Sequence, residues 1–141
     1  MATNSDAAIK HVFDEWHVTN RDKNLEALMA LYTEDTIFES PAVYALGGNR
    51  DGVLRGKAAL TEYFKVFFAK IGKTESEWYR TGEYFTNGST LSWEYPRVTP
   101  TGEQVDLVEQ LDIRDGKIAH HRVYWGWIGF RTLLDKLEKS K

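Results

Sequence analysis

Three turn signals in the second half of the chain constrain its fold more than any other feature. Asn87-Gly88, Thr101-Gly102 and Asp115-Gly116 separate four runs rich in β-branched and aromatic residues, at 75–85, 89–98, 103–114 and 117–127. Such dipeptides supply the positive φ angles that tight hairpins demand, so the four runs are predicted to form an antiparallel meander. Upstream the period changes from two to that of a helix. Ala8, Ile9, Val12, Phe13 and Trp16 mark a first helix over residues 5–20, with Ser5 or Asn4 as its cap and Asp6 in its first turn. Asn24 caps a short second helix, whose stripe of Leu25, Leu28, Met29 and Tyr32 runs to about Thr33. A third helix over 57–71 carries Leu60, Phe64, Phe67, Phe68 and Ile71 on one side, with Gly72 placed to stop it. Residues 36–39 read as a strand ended by Pro41, and the glycine-rich stretch 41–56 as a flexible excursion of the kind that often forms a lid. Residues 130–139 close the chain as an amphipathic helix. Helices first and a meander afterwards make an α+β fold, with helices covering one face of a curved antiparallel sheet.

One residue interrupts the pattern of the third run. Val105, Leu107, Leu111 and Ile113 are apolar at alternate positions, but Glu109 between them is not, while the opposite set Gln104, Asp106, Gln110, Asp112 and Arg114 is polar. Glu109 is therefore predicted on the buried face. A carboxylate there loses hydration unless it is paired, hydrogen-bonded or protonated, which makes it the first candidate for function. On the next run the set Ala119, His121, Val123, Trp125 and Trp127 is the more apolar and should face inward. A three-residue turn at Asp115-Gly116 would set Ile113 opposite Lys117 and Glu109 opposite His121; a two-residue turn would set Glu109 opposite Arg122. The first register is the preferred expectation. A buried carboxyl beside an imidazole is a workable acid-base pair, and equally a satisfied polar pair bracing a sheet.

Composition narrows the function classes. A length of 141 residues with 42% hydrophobic and 28% charged content suits a single domain spanning 1–141. A net charge of -3 with scattered basic residues argues against nucleic acid as a partner. The absence of cysteine removes disulfides and thiolate sites. With a polar start over residues 1–10 and no run long enough to span a bilayer, a cytoplasmic protein without membrane partners is expected. His11 and His17 lack the spacing of a metal motif, and His120 should point away from His121, so no metal site and no cofactor are predicted. Phe, Trp and Tyr make up 13% of the chain, rings well suited to line an apolar ligand cavity or simply to fill a core.

Three stretches together resemble the SnoaL-like and ketosteroid isomerase-like branches of the nuclear transport factor 2-like superfamily. They are residues 24–35 leading into Ile37-Phe38-Glu39-Ser40-Pro41, residues 54–60 with Tyr63-Phe64, and Asp115-Gly116-Lys117-Ile118 followed by residues 122–126. The resemblance implies a cone-shaped sheet packed against three N-terminal helices, a short C-terminal helix and a homodimer formed through the sheet. It implies a cavity whose family base, an aspartate before the proline, falls here on Ser40, preceded by Glu39 as a second carboxylate. The oxyanion-hole tyrosine falls on Trp16, and the protonated acid of that hole falls on Glu109. The resemblance thus points to Glu109, His121 and Glu39 as catalytic candidates. Trp16, Tyr32, Ser40 and Trp93, with Tyr95, Val123 and Trp125, are the expected ligand contacts. The function it implies is binding of an apolar or polyketide-like molecule with cofactor-independent isomerisation, cyclisation or dehydration; the alternative is a non-catalytic ligand-binding or interaction module of the same fold.

Overall fold

A computed structural model describes residues 3–71 and 77–139. Helix α1 (Asp6–Arg21) begins at Ser5, whose hydroxyl accepts from the Ala8 amide, and buries Ile9, Val12 and Trp16. Helix α2 (Leu25–Met29) is capped in the same way by Asn24. It ends earlier than its apolar stripe suggests. The Leu31 carbonyl accepts from the Ile118 amide at 2.8 Å, which draws the chain into the sheet, so Tyr32 opens strand β1 (Tyr32–Glu39) instead of closing a helix.

Both ends of the stretch expected to be a flexible excursion form regular elements, while residues 46–52 between them are turns and bends. Ser40 caps the single-turn helix α3 (Pro41–Ala45), and β2 (Val53–Arg55) returns antiparallel to β1, pairing Ile37 with Arg55 and Glu39 with Val53. Proline at the first position of α3 suits a helix start, where its missing N–H leaves nothing unpaired. Helix α4 (Lys57–Ile71) then buries Leu60 and Phe64 and packs against β1. The expected stop at Gly72 and the first two residues of the strand expected over 75–85 lie outside the described residues; residues 77–84 form no strand, and only Phe85 of that run enters the sheet.

The meander follows as β3 (Phe85–Thr86), β4 (Thr90–Tyr95), β7 (Leu107–Arg114) and β8 (Lys117–Trp125). A small separate hairpin of β5 (Val98–Thr99) and β6 (Gly102–Glu103) sits around Thr101-Gly102. The curved six-stranded sheet has the order β2-β1-β8-β7-β4-β3, with β1 parallel to β8 and every other pairing antiparallel. Helix α5 (Trp127–Lys139) begins three residues before its expected start. Asn4 ties the start of the chain to both hairpins: its side chain donates to the Gly88 and Ile113 carbonyls and accepts from the Gly116 amide. Among the described residues no helix is long and apolar enough to cross a membrane.

The β7 to β8 connection decides which side chains meet. Asp115 and Gly116 both have positive φ, 51° and 75°, the signature of a two-residue type I′ turn rather than the expected three-residue one. Arg114 accordingly pairs with Lys117 and Ile113 with Ile118, but Asp112 pairs with His120. One residue of β8, Ala119, is thus taken up by a bulge. The bulge puts Ile118 rather than Ala119 on the buried side and restores the inward parity of His121, Val123 and Trp125. Glu109 therefore sits opposite Val123, neither opposite His121 nor opposite Arg122.

Candidate functional site

The sheet's concave side, α1, α4 and α5 enclose a cavity of about 340 Å³. Trp16 comes from α1, Phe38 from β1, Tyr63, Phe64 and Phe67 from α4, and Leu133 from α5, with Trp78, Leu107, Val123 and Trp125 completing a mostly apolar wall. Glu109 and His121 stand in that wall, both buried. They are diagonal neighbours on adjacent strands, two residues out of register on the same face, a separation that long side chains span. A carboxylate oxygen of Glu109 lies 2.5 Å from His121 Nε2. His121 Nδ1 is 2.8 Å from the Tyr32 hydroxyl, and Trp16 Nε1 donates to that hydroxyl at 3.3 Å. Phe38 meets the imidazole edge-on, with centroids 4.9 Å apart. Both imidazole nitrogens are satisfied and the ring is held by packing on its remaining sides.

The polar groups elsewhere on the wall are few. Ser40 Oγ accepts from the Ala42 amide and, at 3.4 Å, from the Trp125 indole, so it serves the local backbone and orients Trp125. Lys70 of α4 and Lys136 of α5, both exposed, are the basic residues of the lining.

The SnoaL-like domain model matches residues 9–121. The chain belongs to the SnoaL-like family. A SnoaL-like protein of unknown function from Burkholderia thailandensis superposes with a TM-score of 0.70 at 18% identity, covering 89% of this chain and 100% of that one. TerC, co-crystallised with polyporic acid, superposes at 0.63 with 16% identity over 91% of this chain and 98% of its own. A nuclear transport factor 2-like protein of unknown function from Cytophaga hutchinsonii superposes at 0.62 with 13% identity, covering 94% and 97%. No curated protein matches by sequence. At these identities the solved structures establish a shared fold.

Of the residues singled out from the sequence, this SnoaL-like chain brings Glu109, His121, Trp16, Ser40, Val123 and Trp125 to one cavity. Three expected ligand contacts lie outside its lining. Tyr32 is wholly buried behind His121, because it belongs to β1 and not to a helix facing the cavity mouth. Trp93 is covered by Phe13, Trp16 and His17 of α1 and donates to the Tyr95 hydroxyl at 3.2 Å. Tyr95 packs against Trp78 under the Arg80 guanidinium. Glu39 stands on the opposite face of the sheet, hydrogen-bonded to His120. Beside it Arg122 grips Asp112 through two bonds, 2.7 and 3.0 Å, which hold the Asp112 carboxyl below the usual carboxylate range.

Phe38, Tyr63 and Phe67 were not among the sequence candidates for lining, although Phe67 stood out in the apolar stripe of α4. A stripe marks a buried face and cannot tell a core from a cavity wall. His17 is the other residue the sequence undervalued. Its Nδ1–H donates to the Phe13 carbonyl at 2.6 Å, and its ring lies among Phe13, Trp16 and Trp93. Burial there lowers its pKa below the ordinary 6.5. Among the described residues no cluster of three metal-ligating side chains occurs.

Proposed function

We propose that the chain binds a small apolar molecule in this cavity and moves a proton between that molecule and the Glu109–His121 pair. The observation that carries the reading is a buried carboxyl bonded to an imidazole in the wall of an otherwise apolar cavity. A cavity of about 340 Å³ lies within the range of small-molecule sites, and its wall is mostly apolar with few polar groups. An acid and a base held together out of water suit reactions that move a proton to or from carbon: isomerisation, aldol-type cyclisation or dehydration. The proposed chemistry uses side chains alone and calls for no cofactor.

TerC's crystals with polyporic acid support occupancy of this fold by a small organic molecule. Lys70 and Lys136 favour a ligand with an apolar body and an acidic end, the body meeting the aromatic wall and the charge meeting the two ammonium groups. A second reading, ligand binding without turnover, draws on Ser40: at the position the resemblance gives to a base, its hydroxyl is occupied as a helix cap. A homodimer through the outer face of the sheet, where Tyr124 is exposed, is part of the same proposal and is checked by light scattering.

Native mass spectrometry of the purified protein, followed by incubation of the released ligand with wild type and Glu109→Gln, separates the readings. Turnover by wild type and its loss in the variant supports proton transfer. Binding by both without turnover supports the non-catalytic reading, and an empty cavity that takes up no apolar probe defeats both.

A further inference from the structure

Trp16, Tyr32, His121 and Glu109 form a single line of hydrogen bonds running from α1 through the sheet to the cavity wall. An indole N–H can only donate, so the direction of the first bond is fixed: Trp16 gives its proton to the Tyr32 oxygen at 3.3 Å. The phenol oxygen accepts on that side, and its own O–H has His121 Nδ1 within reach, 2.8 Å away. A neutral imidazole carries one N–H. With Nδ1 accepting, that proton sits on Nε2 and faces the Glu109 oxygen at 2.5 Å. A carboxylate is the stronger acceptor of that N–H, because the bond is then charge-assisted.

We propose that the Trp16–Tyr32 couple locks His121 as its Nε2–H tautomer and thereby holds Glu109 as a carboxylate in the resting protein. Tyr32 is then a positioning residue, acting on the cavity only through His121. The resemblance implies the reverse for Glu109, a carboxylic acid kept protonated to donate. Resting on the proton-transfer reading above, the lock also fixes the order of events. Glu109 acts first as the base: it takes a proton from a carbon next to a carbonyl, and the C–H electron pair stays on the ligand as an enolate. The new Glu109 carboxyl group returns the same proton at a second carbon or at the oxygen of a leaving hydroxyl. His121 keeps its Nε2–H against the other side of the carboxyl throughout, so the pair ends the cycle with the single negative charge it began with.

Long-range ¹H–¹⁵N spectra of ¹⁵N-histidine-labelled protein near neutral pH, with His121→Gln to assign its signals, read the tautomer directly. Expected is a bare Nδ1 and a protonated Nε2 at His121. In Tyr32→Phe, which removes the donor to Nδ1, the share of the Nε2–H form relative to the other tautomer falls about threefold to tenfold. Trp16→Phe removes only the indole donor and is predicted to loosen the same preference, which keeps the test open should the tyrosine variant unfold. A protonated Nδ1 with a bare Nε2 in wild type, or a tautomer ratio unmoved in the folded variants, overturns the lock. Because the spectra need no ligand, they fail independently of the binding reading.

Discussion

Two histidine–glutamate pairs lie back to back in this sheet. Strand β8 carries His120 and His121 side by side, and the period of two sends them to opposite faces. Outside, His120 meets Glu39 of β1; inside, His121 meets Glu109 of β7. The chemistry is the same and the surroundings are not: the outer side chains are 30% and 40% exposed, the inner ones 1% and 7%. Water and salt screen the outer pair, so its charges answer mainly to the solvent. The inner pair has only Tyr32, the packed rings and whatever enters the cavity to answer to. A residue pair becomes a candidate site through its desolvation and the space beside it, and neither is written in the pair itself.

Removing one partner from each pair gives the largest expected contrast. His121→Ala leaves a buried carboxyl without its partner, and chemical denaturation is predicted to show a loss of about 3–5 kcal/mol. His120→Ala on the outer face is predicted to cost no more than about 1 kcal/mol. Equal losses would break the comparison.

His17 sharpens it, being a substantially buried histidine whose ring bonds to a backbone carbonyl and not to a carboxylate. Burial lowers its folded pKa below the 6.5 of the unfolded chain, so between those two values the unfolded chain binds the extra proton. Its contribution to stability is therefore present above pH 6.5 and is lost as pH falls through the folded value, with a slope of at most about 1.4 kcal/mol per pH unit. Stability measured from pH 7 downward in wild type and His17→Phe is predicted to differ by that slope. Parallel profiles would show that His17 titrates as it does when unfolded.

The smallest effect belongs to the basic residues of the lining, where charges are again exposed. Lys70→Gln and Lys136→Gln are each predicted to weaken binding of 2-naphthoate about twofold to fivefold at low salt, with no effect at high salt and none on uncharged 2-naphthol. Calorimetry reads the difference, and a loss that persists in high salt would indicate packing rather than charge.

Much of this contrast was legible in the sequence. Alternation in residues 105–114 put Glu109 inside, and the balance of apolar residues on the next run put His121 with it. Both faces are as expected, and Asn87-Gly88 and Asp115-Gly116 turn hairpins of the main sheet, whereas Thr101-Gly102 turns only the separate β5–β6 hairpin and the run 75–85 gives the sheet just Phe85. Register was not legible, because the bulge at Ala119 leaves no mark in a period-two pattern; together with the two-residue turn it sets Glu109 opposite Val123 while keeping Glu109 and His121 on one face. Nor was the role of Tyr32. It fits the stripe of α2 as well as the start of β1, and a long-range bond from Ile118 to Leu31 decides between them. The parity of Trp93 and Tyr95 was readable, but whether an inward ring lines a cavity or lies beneath α1 depends on how a distant helix packs. Helix α3 and strand β2 were hidden by glycines that serve as connectors on either side of short elements.

The central claim is that Glu109, desolvated and paired, exchanges a proton with a molecule in the cavity. Hydrogen–deuterium exchange at the α-carbons of 2-tetralone, an apolar bicyclic ketone, followed by NMR in D₂O, tests it without knowledge of the natural substrate. Wild type is predicted to accelerate exchange over buffer, and Glu109→Gln, equal in shape and still able to accept from His121, to lose about 10²- to 10⁴-fold of that acceleration. Equal acceleration by the two folded proteins would contradict the account.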